Sequence, residues 1–432
     1  MTYEKAIEYL NRLKAGPVKL GLERVRRHLS LLGDPQDALF TIHVAGTNGK
    51  GSVAAMISSI IRESGLRAGL FISPHLHDLR ERITINFSPI SRGDFARLVE
   101  GIAPAAREAA GKEGDHPTYF EFITALAVKH FADEKVDAAV FEVGLGGRLD
   151  ATNVLRSRVQ VITNIGIDHV SRLGSSIEDI AREKADIIEE GGRVVAAEGP
   201  AAALEIIAET CSSRRARLYR VGRDIRYSIS SFGLEGQVAD IETWRGAYPG
   251  LKIALPGDYQ AANAALAVGA AECIRQEGMD IDDESVRGGL MNVRWPGRFE
   301  VFGKDPVFVL DGAHNPPGAA ALARSLSGYF PRKRIVLILG VLKDKDYRSI
   351  CRSLVPLAER VLACPVDSDR SLAPDELAGA CPEASPPAEI FSMKNIEAAI
   401  GFSRTGSPDV VCVTGSLYLV AKARELLFES GQ

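Results

Sequence analysis

An apolar run, Phe40 to Ala45, gives way at Gly46 to Thr47-Asn48-Gly49-Lys50-Gly51-Ser52, and a second apolar run, Val53 to Ile61, follows at once. A strand that breaks into a glycine-rich turn and restarts as a helix is a cradle for phosphate. The glycines let backbone N–H groups converge on an anion, the helix aims its positive N-terminus at the same point, and Lys50 supplies a mobile charge for β- and γ-phosphates. Gly46, Thr47, Asn48, Gly49, Lys50, Gly51 and Ser52 are therefore the candidate nucleotide-binding residues. The spacing departs from the common P-loop. Two residues separate Gly46 from Gly49 where four are usual, and Gly51 follows the lysine where Ser or Thr is expected. A metal-binding hydroxyl must come from Ser52 or from elsewhere.

The runs Phe40 to Ala45, Ala138 to Val143, Val159 to Thr163 and Val194 to Ala197 read as buried strands separated by amphipathic segments. Alternation of this kind predicts an α/β, P-loop NTPase-like domain with a mostly parallel sheet covered on both faces. Between Leu218 and Leu255 polar and apolar residues alternate among glycines, which predicts a small antiparallel patch. Tyr259 to Ile274 reads as an alanine-rich helix. Pro and Gly punctuation in Asn292 to Arg298 marks the expected boundary, giving an ATP-binding domain over 1–296 and a smaller Rossmann-like α/β domain over 297–432. Its strands are expected at Val307 to Leu310, Ile335 to Leu339, Arg360 to Ala363 and Val410 to Val413. The Pro-rich interval Cys381 to Pro387 reads as a surface loop.

With 52 Lys and Arg against 56 Asp and Glu, the net charge of −4 provides no basic field for nucleic acid. No apolar segment approaches the roughly 18 residues of a membrane helix, and Met1 to Lys5 lacks the layout of a signal peptide. The six cysteines show no C-x-x-C spacing, so they read as reduced packing residues rather than a zinc site or disulfide framework. The expectation is a cytoplasmic, monomeric chain without nucleic-acid or membrane partners.

Four further segments occur along the chain: Ser73-Pro74-His75-Leu76, Glu142 to Asn153 (EVGLGGRLDATN), Thr163 to His169 (TNIGIDH) and Asp311 to Pro316 (DGAHNP). Together with the loop at 46–52, and in this order, they resemble the Mur ligase superfamily, and most nearly its folylpolyglutamate synthases and dihydrofolate synthases. The resemblance implies that Ser73, Glu142 and His169 hold magnesium, with two ions present. A hydroxyl and a carboxylate suit so hard a cation, whereas His169 is a less usual ligand and can equally cap a strand-to-helix turn. Lys184, among Glu183 and Asp186, reads by itself as part of a solvated, ion-paired helix face. In the family the matching lysine is carbamylated and helps hold the second metal ion.

By the same resemblance Asn263 contacts ATP, although a helix-surface amide is the plainer reading. The family commonly has His where this chain has Tyr259. Arg298 is suited to neutralise charge on a transferring phosphate and Asp311 to accept ribose hydroxyls. His314 is grouped with Lys50 and Lys184 as a catalytic candidate. With Ser416, it is expected to steer the incoming amino acid; Ser416 reads equally well as the N-cap of the last helix. The pterin end of a substrate is expected near Ser73 to Leu76, Arg80 to Arg82 and Phe120, with Phe122 a second stacking surface unless it belongs to the core.

The implied reaction is phosphorylation of a substrate carboxylate by ATP, then attack on the acyl phosphate by the amine of L-glutamate. The carboxylate belongs to dihydropteroate or to a folate already carrying glutamate, which makes a bifunctional synthase. Tail extension alone is the nearest alternative. A P-loop NTPase coupling hydrolysis to shape change, and a cell-wall-building Mur enzyme, are the readings of other kinds.

Overall fold

Apolar residues predominate in Thr41–Ala45 (β1), Ala68–Phe71 (β2), Ala138–Glu142 (β5) and Val159–Ile162 (β6), and every residue in them is buried. Strands covered on both faces belong in a parallel sheet, because the crossovers lay helices over each side. The computed structural model describes residues 1–14, 21–110, 116–381 and 388–429. Among these, Ile83–Ile85 (β3), Ser88–Pro89 (β4), Arg193–Ala196 (β7) and Arg217–Arg220 (β8) complete an eight-stranded sheet in the order β4-β3-β2-β5-β1-β6-β7-β8. Its six strands from β2 to β8 run parallel, while β3 and β4 are antiparallel at one edge.

Four strands not expected from the sequence, β2, β3, β4 and β8, lie in this sheet. Arg217–Arg220 falls where the antiparallel patch was expected to begin. It pairs instead with β7 as a parallel edge strand, and its partial exposure accounts for the polar alternation. The patch itself is Arg226–Gly233 (β9), Gly236–Glu242 (β10) and Ala247–Ile253 (β11), a separate sheet in the order β11-β10-β9. Its strands are joined by residues 234–235 and 243–246, connections that only antiparallel neighbours allow.

A third sheet, of six strands, orders as β12-β13-β17-β14-β15-β16, from Glu300–Phe302 (β12), Val307–Leu310 (β13), Ile335–Leu339 (β14), Arg360–Ala363 (β15), Glu389–Ser392 (β16) and Val410–Thr414 (β17). All its pairings are parallel except that of β12 with β13. The interval 382–387, expected as a surface loop, lies outside the described residues. The chain forms two compact units. One comprises 1–228, 240–251 and 262–293, the other 229–239, 252–261 and 294–432. Among the described residues, no helix is long and apolar enough to cross a membrane. The six cysteines are buried and free.

In the first unit, the helix that follows the glycine-rich loop, Lys50–Glu63, is buried along nearly its whole length. It packs on the helix Asp283–Asn292, and Gly289 permits the approach. A Cβ there would stand 2.5 Å from Ile60 Cα and 2.7 Å from Ile60 N. Backbone cannot yield as a flexible side chain does. We predict that Gly289→Ala costs about 3 kcal/mol, the upper range for overpacking, read as a lowered midpoint of chemical denaturation; an unchanged midpoint contradicts this packing.

Candidate functional site

Four neighbouring parallel strands end at one edge of the first sheet. Ser73 follows β2, Glu142 closes β5, Gly46 follows β1 and Thr163 follows β6. Carboxyl ends of parallel strands form the crevice where α/β proteins bind ligands. The loop after β1 is stitched to the one after β6. Thr47 N–H donates to Asn164 O at 2.8 Å, Asn48 N–H to Asn164 Oδ1 at 2.9 Å, and Thr163 Oγ1 to Asn48 O at 2.7 Å. Thr47 Oγ1 both donates to Gly166 O and accepts from Gly166 N–H, each at 3.0 Å. Thr163 and Asn164 were given no role from sequence, yet they hold the loop's shape; their place in the TNIGIDH segment was the available signal.

Gly46 has φ +146° and Gly49 φ +84°, backbone that side chains rarely adopt. Space forbids side chains too. A Cβ on Gly46 would overlap Thr163 Oγ1, and one on Gly49 would lie 2.7 Å from Asn263 Oδ1. Asn263 is thus buried against the loop, 7% exposed, and the helix-surface reading is set aside. Gly49 caps the helix whose first residue is Lys50, with Gly51 and Ser52 buried just inside it. Lys50 Nζ folds back onto the loop, donating to Gly46 O at 3.1 Å and Thr47 O at 3.2 Å.

Lys184 is no member of a solvated face. Its side chain is buried, 4% exposed, and Nζ donates to Gly46 O at 2.8 Å. Burial, then the neighbouring Lys50 charge, bring its pKa down to about 7, against the opposing pull of Asp168, Asp150 and Glu183. Glu183 instead pairs with Arg148 at 2.7 Å on the surface. The glycines of EVGLGGRLD bring this helix in: a Cβ on Gly147 would overlap Glu183 O and stand 3.1 Å from Lys184 Cα.

Of the metal candidates, Ser73 and Glu142 meet directly, since Ser73 N–H donates to Glu142 Oε2 at 3.0 Å. His169, at φ +52°, presents a ring 40% exposed, with Nε2 3.9 Å from Asp168 Oδ2. Among the described residues no group of three or more His, Cys, Asp and Glu gathers for a metal. A buried carboxylate beside a serine, at the edge that carries the phosphate cradle, nevertheless suits an oxygen-preferring cation.

On the β2 side, Arg82 Nε donates to His75 Nδ1 at 2.9 Å, and its guanidinium lies 5.7 Å from the Tyr119 ring centroid. Burial first, then Arg82, hold His75 neutral by lowering its pKa to about 4. Arg80 is committed to Asp78 at 2.7 Å, and Glu81 accepts from the N–H groups of Leu76, His77 and Asp78. Phe120 is half-buried against Gly144. Phe122 is a core residue, fully buried beside Tyr9 and His28, so it offers no stacking surface.

In the second unit Asp311 is 4% exposed and already accepts three hydrogen bonds: from Tyr259 Oη at 2.7 Å, Phe299 N at 2.8 Å and Ala313 N at 2.8 Å. Burial raises its pKa, with those donors and Arg298 opposing. Arg298 Nη1 donates to Gly297 O at 3.0 Å. His314 Nδ1 lies 2.8 Å from Gly312 O. Ser416 Oγ accepts from Tyr418 N–H at 3.2 Å, so it caps the helix Leu417–Glu429.

Residues 44–271 match the Mur ligase middle domain and residues 297–417 the Mur ligase glutamate ligase domain. The chain is 38% identical over 432 residues to the dihydrofolate synthase/folylpolyglutamate synthase of Bacillus subtilis (strain 168), covering 98% of this chain and 99% of that protein. Its fold is similar to Mycobacterium tuberculosis folylpolyglutamate synthase complexed with ADP, with a TM-score of 0.91, 34% identity and 98% of each chain covered. It is also similar to E. coli FolC in complex with DHPP and ADP, at a TM-score of 0.89 and 28% identity, covering 100% of this chain and 99% of that one. Matched in two domains and along nearly its whole length, the chain belongs to the dihydrofolate synthase/folylpolyglutamate synthase family of the Mur ligase superfamily.

Proposed function

We propose that this chain is a bifunctional, ATP-dependent ligase that joins L-glutamate to dihydropteroate and to the γ-carboxylate of folylglutamates, forming an amide and releasing ADP. The observation that carries this reading is the convergence at one sheet edge of a phosphate cradle, two lysine amines on Gly46 O, and the Ser73–Glu142 pair. The names of the relatives, and the ADP and DHPP in the similar structures, support the substrates.

No side-chain nucleophile is required. A carboxylate oxygen of the substrate attacks the γ-phosphorus and ADP leaves; the glutamate amine then attacks the acyl carbon, expelling phosphate and losing a proton. The loop N–H groups and Lys50 grip the triphosphate, Asn263 lies against the cradle, and Arg298 faces charge on the transferring phosphoryl group. Ser73, Glu142, His169 and a carbamylated Lys184 would hold magnesium, which screens the repulsion between the two anions. Arg82 and Phe120 lie on the pterin side. His314 meets the incoming glutamate, and Ser416 shapes that region through the helix it caps.

Lys184 is suited to carbamylation because a buried amine with a pKa near 7 is substantially neutral at physiological pH, and the neutral amine is what adds to carbon dioxide. We predict that Lys184→Ala lowers kcat by at least about a hundredfold and that a short-chain carboxylic acid partly restores it. Below its pKa the amine is protonated and unreactive. At equal concentrations of dissolved carbon dioxide, enzyme stripped of it should therefore regain activity more slowly at pH 6 than at pH 8. Full activity in Lys184→Ala removes this role.

Gly46→Ala should weaken ADP binding more than roughly tenfold by calorimetry, with the circular dichroism spectrum intact, because the new methyl displaces Thr163 from the loop. The function itself is tested by ADP formation with dihydropteroate and with tetrahydrofolate, each with and without glutamate. Turnover with both acceptors, dependent on glutamate, is expected. Turnover with tetrahydrofolate alone restricts the enzyme to tail extension, and phosphate release without any acceptor points to an NTPase.

A further inference from the structure

Arg298 is held by its neighbours in the chain. Gly312 N–H donates to Gly297 O at 2.9 Å on one side, and Phe299 N–H donates to Asp311 Oδ2 at 2.8 Å on the other. Phe299 is a non-glycine residue at φ +47°, a conformation that persists only where its surroundings fix it. Its ring is fully buried beside Tyr329 and Phe330, and Gly297 N–H is anchored on Glu300 Oε2 at 2.8 Å. The guanidinium crosses Gly312 so closely that a Cβ there would stand 2.6 Å from Arg298 Nη1.

The oxygen of Asp311 that fixes Phe299 is also the one that receives the Tyr259 hydroxyl, at 2.7 Å. Tyr259 is itself fixed, because it opens a helix whose two preceding residues, Gly257 and Asp258, are tied down. Gly257 N–H donates to Tyr329 Oη at 3.0 Å, Asp258 N–H to Ser325 Oγ at 3.1 Å, and Ser325 Oγ to Asp258 Oδ1 at 2.7 Å. A short chain of contacts thus runs from the Tyr259 phenol through one carboxylate oxygen to the backbone that carries Arg298.

We infer that Tyr259 is a positioning residue for Arg298, acting through Asp311, and that Asp311 serves first as this internal link. The inference rests on the ligase reading, in which Arg298 faces the transferring phosphoryl group. Removing the phenol leaves the carboxylate one donor short and loosens the residue after Arg298. A guanidinium that wanders by a fraction of an ångström still neutralises charge in the ground state but serves the transition state less well. The loss should therefore fall on kcat rather than on the KM for ATP.

The test is a double-mutant cycle in the full-length chain, assayed by ADP formation with dihydropteroate and glutamate. Tyr259→Phe is expected to lower kcat roughly tenfold while the KM for ATP stays within about twofold, and Arg298→Ala to lower kcat further. Tyr259→Phe added to Arg298→Ala should then have no further effect. Wild-type kcat in Tyr259→Phe overturns the inference. So does an equal penalty in both backgrounds, which would make Tyr259 a merely structural residue. Wild-type kcat in Arg298→Ala overturns the role of Arg298 and the inference with it, whereas absence of turnover in the unsubstituted chain overturns the ligase reading itself.

Discussion

One carbonyl oxygen, that of Gly46, accepts hydrogen bonds from two lysine amines, Lys50 at 3.1 Å and Lys184 at 2.8 Å. Two ammonium groups on one acceptor, one of them buried, repel each other in a medium that screens poorly. The strain has two exits. One amine can give up its proton, as the lowered pKa of Lys184 indicates, or an anion can arrive between them. A glycine-rich loop that gathers two cations at the start of a helix is thus suited to a polyanion. The loop must hold that carbonyl still, which explains why its backbone is pinned to residues 163–166 by five hydrogen bonds rather than left to the ligand to order.

The sheet order places the partners. Because β1 lies between β5 and β6, and β2 beyond β5, the residues leaving their carboxyl ends are neighbours although they are far apart in sequence. Ser73 and Glu142 meet through the β2–β5 pairing, and the Gly46 and Thr163 loops through β1–β6. The chemistry thus depends on strand register: Val44 stands beside Glu142, and Phe71 beside Phe141, so the last strand residues come level at one edge.

That edge was legible in the sequence because its parts are local. A strand, a glycine-rich turn and a helix are written in consecutive residues, and strands buried on both faces read as unbroken apolar runs. What was not legible depended on distance or on edges. Lys184 looks solvated beside Glu183 and Asp186, and nothing nearby reveals that its amine reaches a carbonyl 138 residues earlier. Asp311 at a strand end looked like an open acceptor, yet its donors come from Tyr259 and Phe299. The strands missed, β2, β8, β12 and β16 among them, have at most four residues each, too short to show a period, and β8, β12 and β16 are edge strands besides.

The glycines carry the same lesson in a sharper form. In a phosphate-binding turn they are usually credited with freeing N–H groups for the ligand, and Gly46 and Gly49 do adopt positive φ. Their missing side chains serve a second purpose, since each touches another element: Thr163 at Gly46 and Asn263 at Gly49. Gly147 stands in the motif after β5, yet it lies against the backbone of Glu183 and Lys184. A side chain there would push the helix Ile177–Ala185 outward and draw the Lys184 amine away from the Gly46 carbonyl. Glycines in separate motifs therefore set a single distance, that between a buried amine and the cradle, and this distance makes the two motifs one site.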